Sequence, residues 1–266
     1  MHRNLNYNEF ILGIMTDEQV EFWRQYAHRG VCIDSTHGIS RRKLKLVTVQ
    51  VIGPKEVGVP VANLFVSNEK GKTLVAFFKE IKRRVGNDLR YDLLMSDDYI
   101  AYYNSFTKVF GPTRKLLCMF HVKQSWKRRL KKLVDSNVNG SQSYRSSLCY
   151  KMLQLSTDVA DSRRGNEEVS RMMELEEAAR RHDVEEFVHY FQNYYLTRKD
   201  EWMTRCRLES PVSTNNYCEG FHSSLKKDLR SDGSLMGRVD RVIYMVIQKV
   251  KSRVIECGGE NNESKR

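Results

Sequence analysis

Three apolar, β-rich runs stand close together in the first quarter of the chain, at roughly residues 31–36, 44–53 and 59–67. They are separated by Gly38 with Arg41-Arg42-Lys43 and then by Pro54 to Gly58, turn-forming and polar clusters that end strands. Connections this short join antiparallel neighbours, so the runs predict a meander. Ahead of them, Phe10-Ile11-Leu12-Gly13-Ile14 is an apolar run too short to assign. Thr16 with Gln19 three positions later predicts a capping box that opens a helix reaching about Arg29. From Lys72 to Val85, apolar residues at Leu74, Phe77, Phe78, Ile81 and Val85 have helical spacing, and Gly86 sits where a C-cap belongs.

The alternation continues with a fourth strand at about 91–97, a helix at 99–110, a fifth strand at 114–120 and a basic helix at 122–134. The order βββαβαβα predicts an α/β protein of ribonuclease H-like fold: a mixed five-stranded sheet with flanking helices, in which strands one and four are neighbours. Residues 135–213 break the pattern with helix-favouring, charged sequence and predict an inserted all-helical subdomain. Within it Phe187, Tyr190, Phe191 and Tyr194 recur at helical spacing, which favours core packing over base stacking. Helices resume at about 214–230 and 235–256, the second carrying Leu235, Val239, Val242, Val246, Val250 and Val254 in register. The expected organisation is a helical lead-in (1–30), a core (31–134), the insertion (135–213), C-terminal helices that complete the core (214–256) and a polar tail (257–266).

Composition changes the picture chiefly through charge. Among 266 residues, 45 Lys and Arg face 33 Asp and Glu, a formal net charge of +12. That excess favours a polyanionic partner such as nucleic acid, the alternative being a merely solvated basic surface. The six cysteines are scattered, as expected of reduced thiols inside a cell. No apolar run approaches the length that spans a bilayer, so no membrane partner is expected.

Asp34 closes the run Val31-Cys32-Ile33-Asp34 and Asp97 closes Leu93-Leu94-Met95-Ser96-Asp97. A carboxylate at the end of a buried strand needs a metal or a basic partner, although each could instead serve a turn or a helix cap. Between Asp97 and Asp98 the pattern leaves the choice open: one could ligate while the other caps. Glu219 follows Thr214-Asn215-Asn216-Tyr217-Cys218 on a predicted helix, where Asn215, Asn216, Glu219 and His222 share a polar face opposite Cys218, Phe221, Leu225 and Leu229. Two strand-end acids and a helix acid suit two shared Mg²⁺ ions (or Mn²⁺) in phosphoryl transfer. Cys118-Met119-Phe120-His121 has a zinc-like spacer, but no second pair has the usual spacing, and a buried cysteine with a hydrogen-bonded histidine is the commoner outcome. If the fifth strand is parallel to the first and fourth, His121 emerges on the same edge as the acids. Lys123, Lys127, Arg128, Arg129, Lys131 and Lys132, around Trp126 and with no acid among them, suit phosphate contacts better than a solvated face.

Together, Leu12-Gly13-Ile14-Met15-Thr16, Cys32-Ile33-Asp34-Ser35-Thr36-His37-Gly38, Ser96-Asp97-Asp98, Cys118-Met119-Phe120-His121 and Thr214-Asn215-Asn216-Tyr217-Cys218-Glu219-Gly220-Phe221-His222 resemble the Mutator-like element (MULE) transposases. The resemblance implies a ribonuclease H-like core with a catalytic Asp-Asp-Glu triad at Asp34, Asp97 and Glu219. It matches Cys118 and His121 to the family's Cys-x-x-His element. It also implies a double-stranded DNA partner, a nuclear location and, in activity, strand cleavage and strand transfer. Other outcomes consistent with the same residues are a catalytically silent, transposase-derived DNA-binding protein and a ribonuclease H-like nuclease. Assembly as a homo-oligomer is left open. The N-terminal zinc module and the cysteine-rich SWIM module common in that family have no counterpart in the pattern, so the expectation is confined to the catalytic core.

Overall fold

The structure is a computed structural model that describes residues 9–133, 141–157, 173–177, 180, 185–203 and 216–263. They form two compact units. One gathers the described residues up to Lys115 together with those from Asn216 onward, and the other those from Leu116 to Met203.

The first unit is built on a mixed sheet. Its strands are β1 (Ile11–Ile14), β2 (Val31–Thr36), β3 (Lys45–Ile52), β4 (Gly58–Val66), β5 (Leu93–Ser96) and β6 (Arg114–Leu117), in the order β1-β4-β3-β2-β5-β6. The meander of β2, β3 and β4 is antiparallel, and β2 pairs with β5 in parallel. The expected five strands are six. The unassigned run Phe10–Ile14 contributes the edge strand β1, antiparallel to β4 with Ile11 opposite Val66 and Ile14 opposite Asn63. Four residues with a glycine among them give too little alternation to announce a strand, and it is the open edge of β4 that makes one.

Helix α1 (Asp17–Tyr26) begins with the expected capping box. Thr16 Oγ1 accepts from the Gln19 amide at 3.3 Å, and the Thr16 amide donates to Gln19 Oε1 at 2.8 Å. The spare Gln19 Nε2 donates to the Pro60 carbonyl at 2.8 Å, tying α1 to β4. Helix α2 (Gly71–Val85) buries Leu74, Phe77, Phe78, Ile81 and Val85, and Gly86 ends it at φ 103°, a conformation only glycine adopts without strain. Helix α3 (Ile100–Phe110) follows β5. Trp23, Phe78, Tyr91, Phe106 and Phe110 form one aromatic cluster among these helices.

Strand β6 ends at Leu117, short of the expected 120, because α4 (Met119–Leu133) starts earlier than its charge pattern suggests. Met119, Val122, Trp126 and Leu130 are all buried, so the helical repeat runs back to Met119 and takes Phe120 and His121 with it. Helices α5 (Ser141–Thr157), α6 (Glu185–Tyr194) and α7 (Lys199–Trp202) lie in the second unit. Trp126 sits at the centre of its core, edge-on to Phe191, Tyr195 and Trp202 at centroid distances of 5.5, 5.4 and 5.4 Å. Phe187 and Phe191 are buried as the packing reading expects, whereas Tyr194 is exposed and stacks on Tyr190.

Two helices return to the first unit. Helix α8 (Asn216–Ser231) buries Cys218, His222, Leu225 and Leu229, and α9 (Val239–Glu263) buries Val242, Val246, Val250, Val254 and Cys257. The last helix extends past Gly258 to Glu263, into the stretch whose polarity suggests a tail.

Candidate functional site

The parallel pairing of β2 with β5 fixes the two aspartates. Val31 lies opposite Leu94 and Cys32 opposite Met95, so counting two residues on brings Asp97 level with Asp34. Adjacent strands lie about 4.8 Å apart, and both strands point their C-terminal ends the same way. Asp34 is 5% exposed, and Asp97, just past the end of β5, is half-buried. Asp97 Oδ1 accepts from the Tyr99 amide at 3.1 Å, so the side chain is held in a tight local turn. Asp98 is half-buried as well.

Helix α8 carries Glu219. Gln50, opposite Cys32 in the sheet, donates through Nε2 to the Tyr217 carbonyl at 3.3 Å. His222 lies over the next row: its Nδ1 is 3.2 Å from Asp34 Oδ2 and its Nε2 is 2.9 Å from Thr48 Oγ1. The helix therefore runs along β2 in the strand's own direction. Glu219, half-buried in its first turn, falls between the Cys32 row and the Asp34 row, on the same side as His222.

The expected polar face of this helix is thereby corrected. His222 is 5% exposed and belongs to the buried stripe with Cys218, Leu225 and Leu229. The sheet beneath it presents Asp34 and Thr48 rather than hydrocarbon, so a histidine is satisfied there. Asn216 is exposed at the start of the helix, and Asn215 lies outside the described residues.

Glycine makes the approach of α8 to the sheet possible. A Cβ at Gly58 would stand 2.3 Å from Tyr217 Cβ and 2.5 Å from Gln50 Oε1. Gly58→Ala is expected to push the start of α8 off β4, destabilising the fold by about 1–3 kcal/mol and displacing Glu219 two residues further on. Thermal unfolding of the variant beside the wild type checks this. A variant with wild-type stability would show that the approach has slack.

Next to Asp97 opens a cavity of about 470 Å³ whose lining includes Ser35, Lys45, Glu69, Lys70 and Tyr102. Lys45 Nζ is 2.5 Å from Glu69 Oε2, and the Tyr102 hydroxyl donates to Glu69 Oε1 at 2.8 Å. Burial pushes the Tyr102 hydroxyl well above its ordinary pKa, and the charge of Glu69 adds to the rise. Lys226 lies within electrostatic reach of Asp34. Burial pushes its ammonium below the usual lysine range, Arg230 adds to this, and the Asp34 carboxylate opposes both.

In the second unit, Cys118 is buried and His121 is half-buried on the first turn of α4, with their ligand atoms within 4.8 Å of each other. His121 thus stands on a helix rather than at the end of a strand. Lys123, Lys127, Arg128, Arg129, Lys131 and Lys132 are all exposed, while Val122, Trp126 and Leu130 face the core. Arg129 lies over the Tyr190 ring at 5.2 Å.

Thr48, Asn63, Lys226 and, of the cavity residues, Lys45, Glu69, Lys70 and Tyr102 escaped the sequence reading. A signal existed for the first two: Thr48, Gln50 and Asn63 are polar residues inside strands that are otherwise apolar, and a buried polar side chain is more informative than a buried apolar one.

Residues 30–125 match a family model. That segment is similar to the MULE transposase domain. It runs from the start of β2 into α4 and includes Asp34, Asp97, Cys118 and His121. No curated protein matches the chain.

Proposed function

We propose that the chain belongs with the MULE transposases and forms the catalytic core of a DNA transposase, of ribonuclease H-like fold, acting on double-stranded DNA in the nucleus. The observation that carries the reading is the placement of Asp34 and Asp97 level with each other at the mouths of adjacent parallel strands, beneath the helix that bears Glu219. With the edge strand β1 set aside, the sheet order is third, second, first, fourth, fifth, which supports the ribonuclease H-like assignment.

The donor set fits hard divalent cations, which take oxygen ligands and carboxylates above all. Asp34, Asp97 and Glu219 would hold two Mg²⁺ ions, or Mn²⁺ in their place, and these when bound stabilise the charge on the attacking and leaving oxygens of an in-line displacement. Cys118 and His121 supply only two of the four ligands a structural Zn²⁺ needs, so zinc is not part of the proposed reaction. In the first step a water oxygen bonds to phosphorus as a P–O bond to the neighbouring nucleotide breaks, leaving a free 3′-OH. In the second, that 3′ oxygen bonds to a phosphorus of the target duplex and expels the oxygen on its far side. His222 keeps the Asp34 carboxylate in one orientation through both steps. Lys226 adds positive charge beside it. The cations of α4 bind phosphates of the duplex and carry no base-specific readout, since backbone contacts fix register without reporting sequence.

Incubating the full chain with generic duplex DNA and Mg²⁺ tests the reading. Nicked strands and joined products are expected, and both vanish with a chelator. Cleavage without joining would make the protein a ribonuclease H-like nuclease. Tight binding with neither reaction would make it a silent, transposase-derived DNA-binding protein.

A further inference from the structure

In the antiparallel register Asp34 stands opposite Thr48, and Thr48 opposite Asn63. The three side chains form one straight row across β2, β3 and β4, and His222 of α8 caps its Asp34 and Thr48 end. Every member is buried, at 5% exposure for Asp34 and His222 and 0% for Thr48 and Asn63. Thr48 Oγ1 lies 3.2 Å from Asn63 Oδ1 and 2.9 Å from His222 Nε2, and His222 Nδ1 lies 3.2 Å from Asp34 Oδ2. A polar row has no packing reason to cross a sheet whose neighbouring positions are Leu46, Val47, Val49, Ala62 and Leu64.

Counting protons gives the row a direction. With its oxygen on Thr48, the Asn63 amide leaves Nδ2 buried without a hydrogen-bond partner, and burying such a donor is costly. The Thr48 proton is then committed to Asn63, so Nε2 must donate to Thr48, and a neutral His222 would turn a bare Nδ1 lone pair on the Asp34 carboxylate. The amide has the same shape when turned over. In that orientation Asn63 Nδ2 donates to Thr48, the Thr48 hydroxyl donates to Nε2 and Nδ1–H donates to Asp34, and the buried atom left over is the Asn63 carbonyl oxygen, a less costly orphan than an N–H.

We infer that Thr48 and Asn63 are positioning residues: they fix the Nδ1–H form of His222, which in turn fixes the Asp34 carboxylate. Neither touches substrate. A histidine that presents one nitrogen to a carboxylate is oriented by the bond at its other nitrogen. Here that bond comes from the central strand, so the orientation of Asp34 is built into the sheet. The consequence for metal binding rests on the proposed role of Asp34 as a ligand; the hydrogen-bond order does not.

Imidazole ¹⁵N shifts and their long-range proton couplings, measured on the metal-free full chain at neutral pH, test the order. His222→Gln assigns the resonance, and the wild type is expected to show protonated Nδ1 and unprotonated Nε2. In Thr48→Val the Nε2–H form should gain population, and in Thr48→Ser the wild-type pattern should return. Mn²⁺ affinity is expected to fall about tenfold in Thr48→Val and to recover in Thr48→Ser, the size usual for loss of a partner behind a ligand. A wild-type His222 in the Nε2–H form, or protonated at both nitrogens, overturns the inference without need of any variant. So does a folded Thr48→Val with unchanged shifts. A wild type that has the expected shifts, responds to Thr48→Val and yet takes up no Mn²⁺ refutes the metal reading and leaves the hydrogen-bond order standing.

Discussion

Asp34→Ala, Asp97→Ala and Glu219→Ala should each reduce Mg²⁺-dependent strand cleavage by roughly 10³-fold or more, about 4 kcal/mol of lost transition-state stabilisation, while affinity for duplex DNA changes little. The asymmetry follows from the geometry. The three acids lie at the ends of β2 and β5 and on α8, whereas the exposed cations that suit phosphate binding lie on α4. Asp98→Ala should cost far less, because the register puts Asp97 rather than Asp98 level with Asp34. Single-turnover cleavage and a binding titration on the same preparations separate the two effects. If Asp98→Ala were silenced and Asp97→Ala active, the catalytic aspartate would be Asp98. If the acid variants lost binding and cleavage together, the acids would be holding the fold.

Replacing Lys127, Arg128 and Lys131 together by Ala should weaken binding to every duplex alike and flatten its salt dependence. Each phosphate contact contributes about 0.9 to the slope of log affinity against log salt on duplex DNA, so three lost contacts should lower its magnitude by roughly 2.7. The fold should survive, since the three side chains are exposed and the buried face of α4 is Val122, Trp126 and Leu130. Affinity measured at several salt concentrations decides it. An unchanged slope would mean that the α4 cations only solvate the helix, and that the net charge of +12 acts elsewhere.

The strands of the meander, the capping box at Thr16, the glycine that ends α2 and the order of elements from β2 through the basic helix were all legible in the chain. Each depends on contacts within a few residues, which turn chemistry and apolar spacing report directly. Asp34, Asp97 and Glu219 stood out for the same reason: an acid at the end of an apolar strand, or among asparagines on a helix, is locally unusual. What the chain alone does not report is pairing over long separations. Strand β1 exists because β4, some fifty positions later, offers it an open edge. His222 looked like part of a solvated polar face because its partners, Asp34 and Thr48, are 188 and 174 residues away. The residue types at the site were thus fixed by the sequence. Which of them meet, which aspartate stands level with Asp34, and why Thr48 and Asn63 interrupt apolar strands were decided by strand register and by the docking of α8, because hydrogen bonds between distant segments leave no periodic trace along the chain.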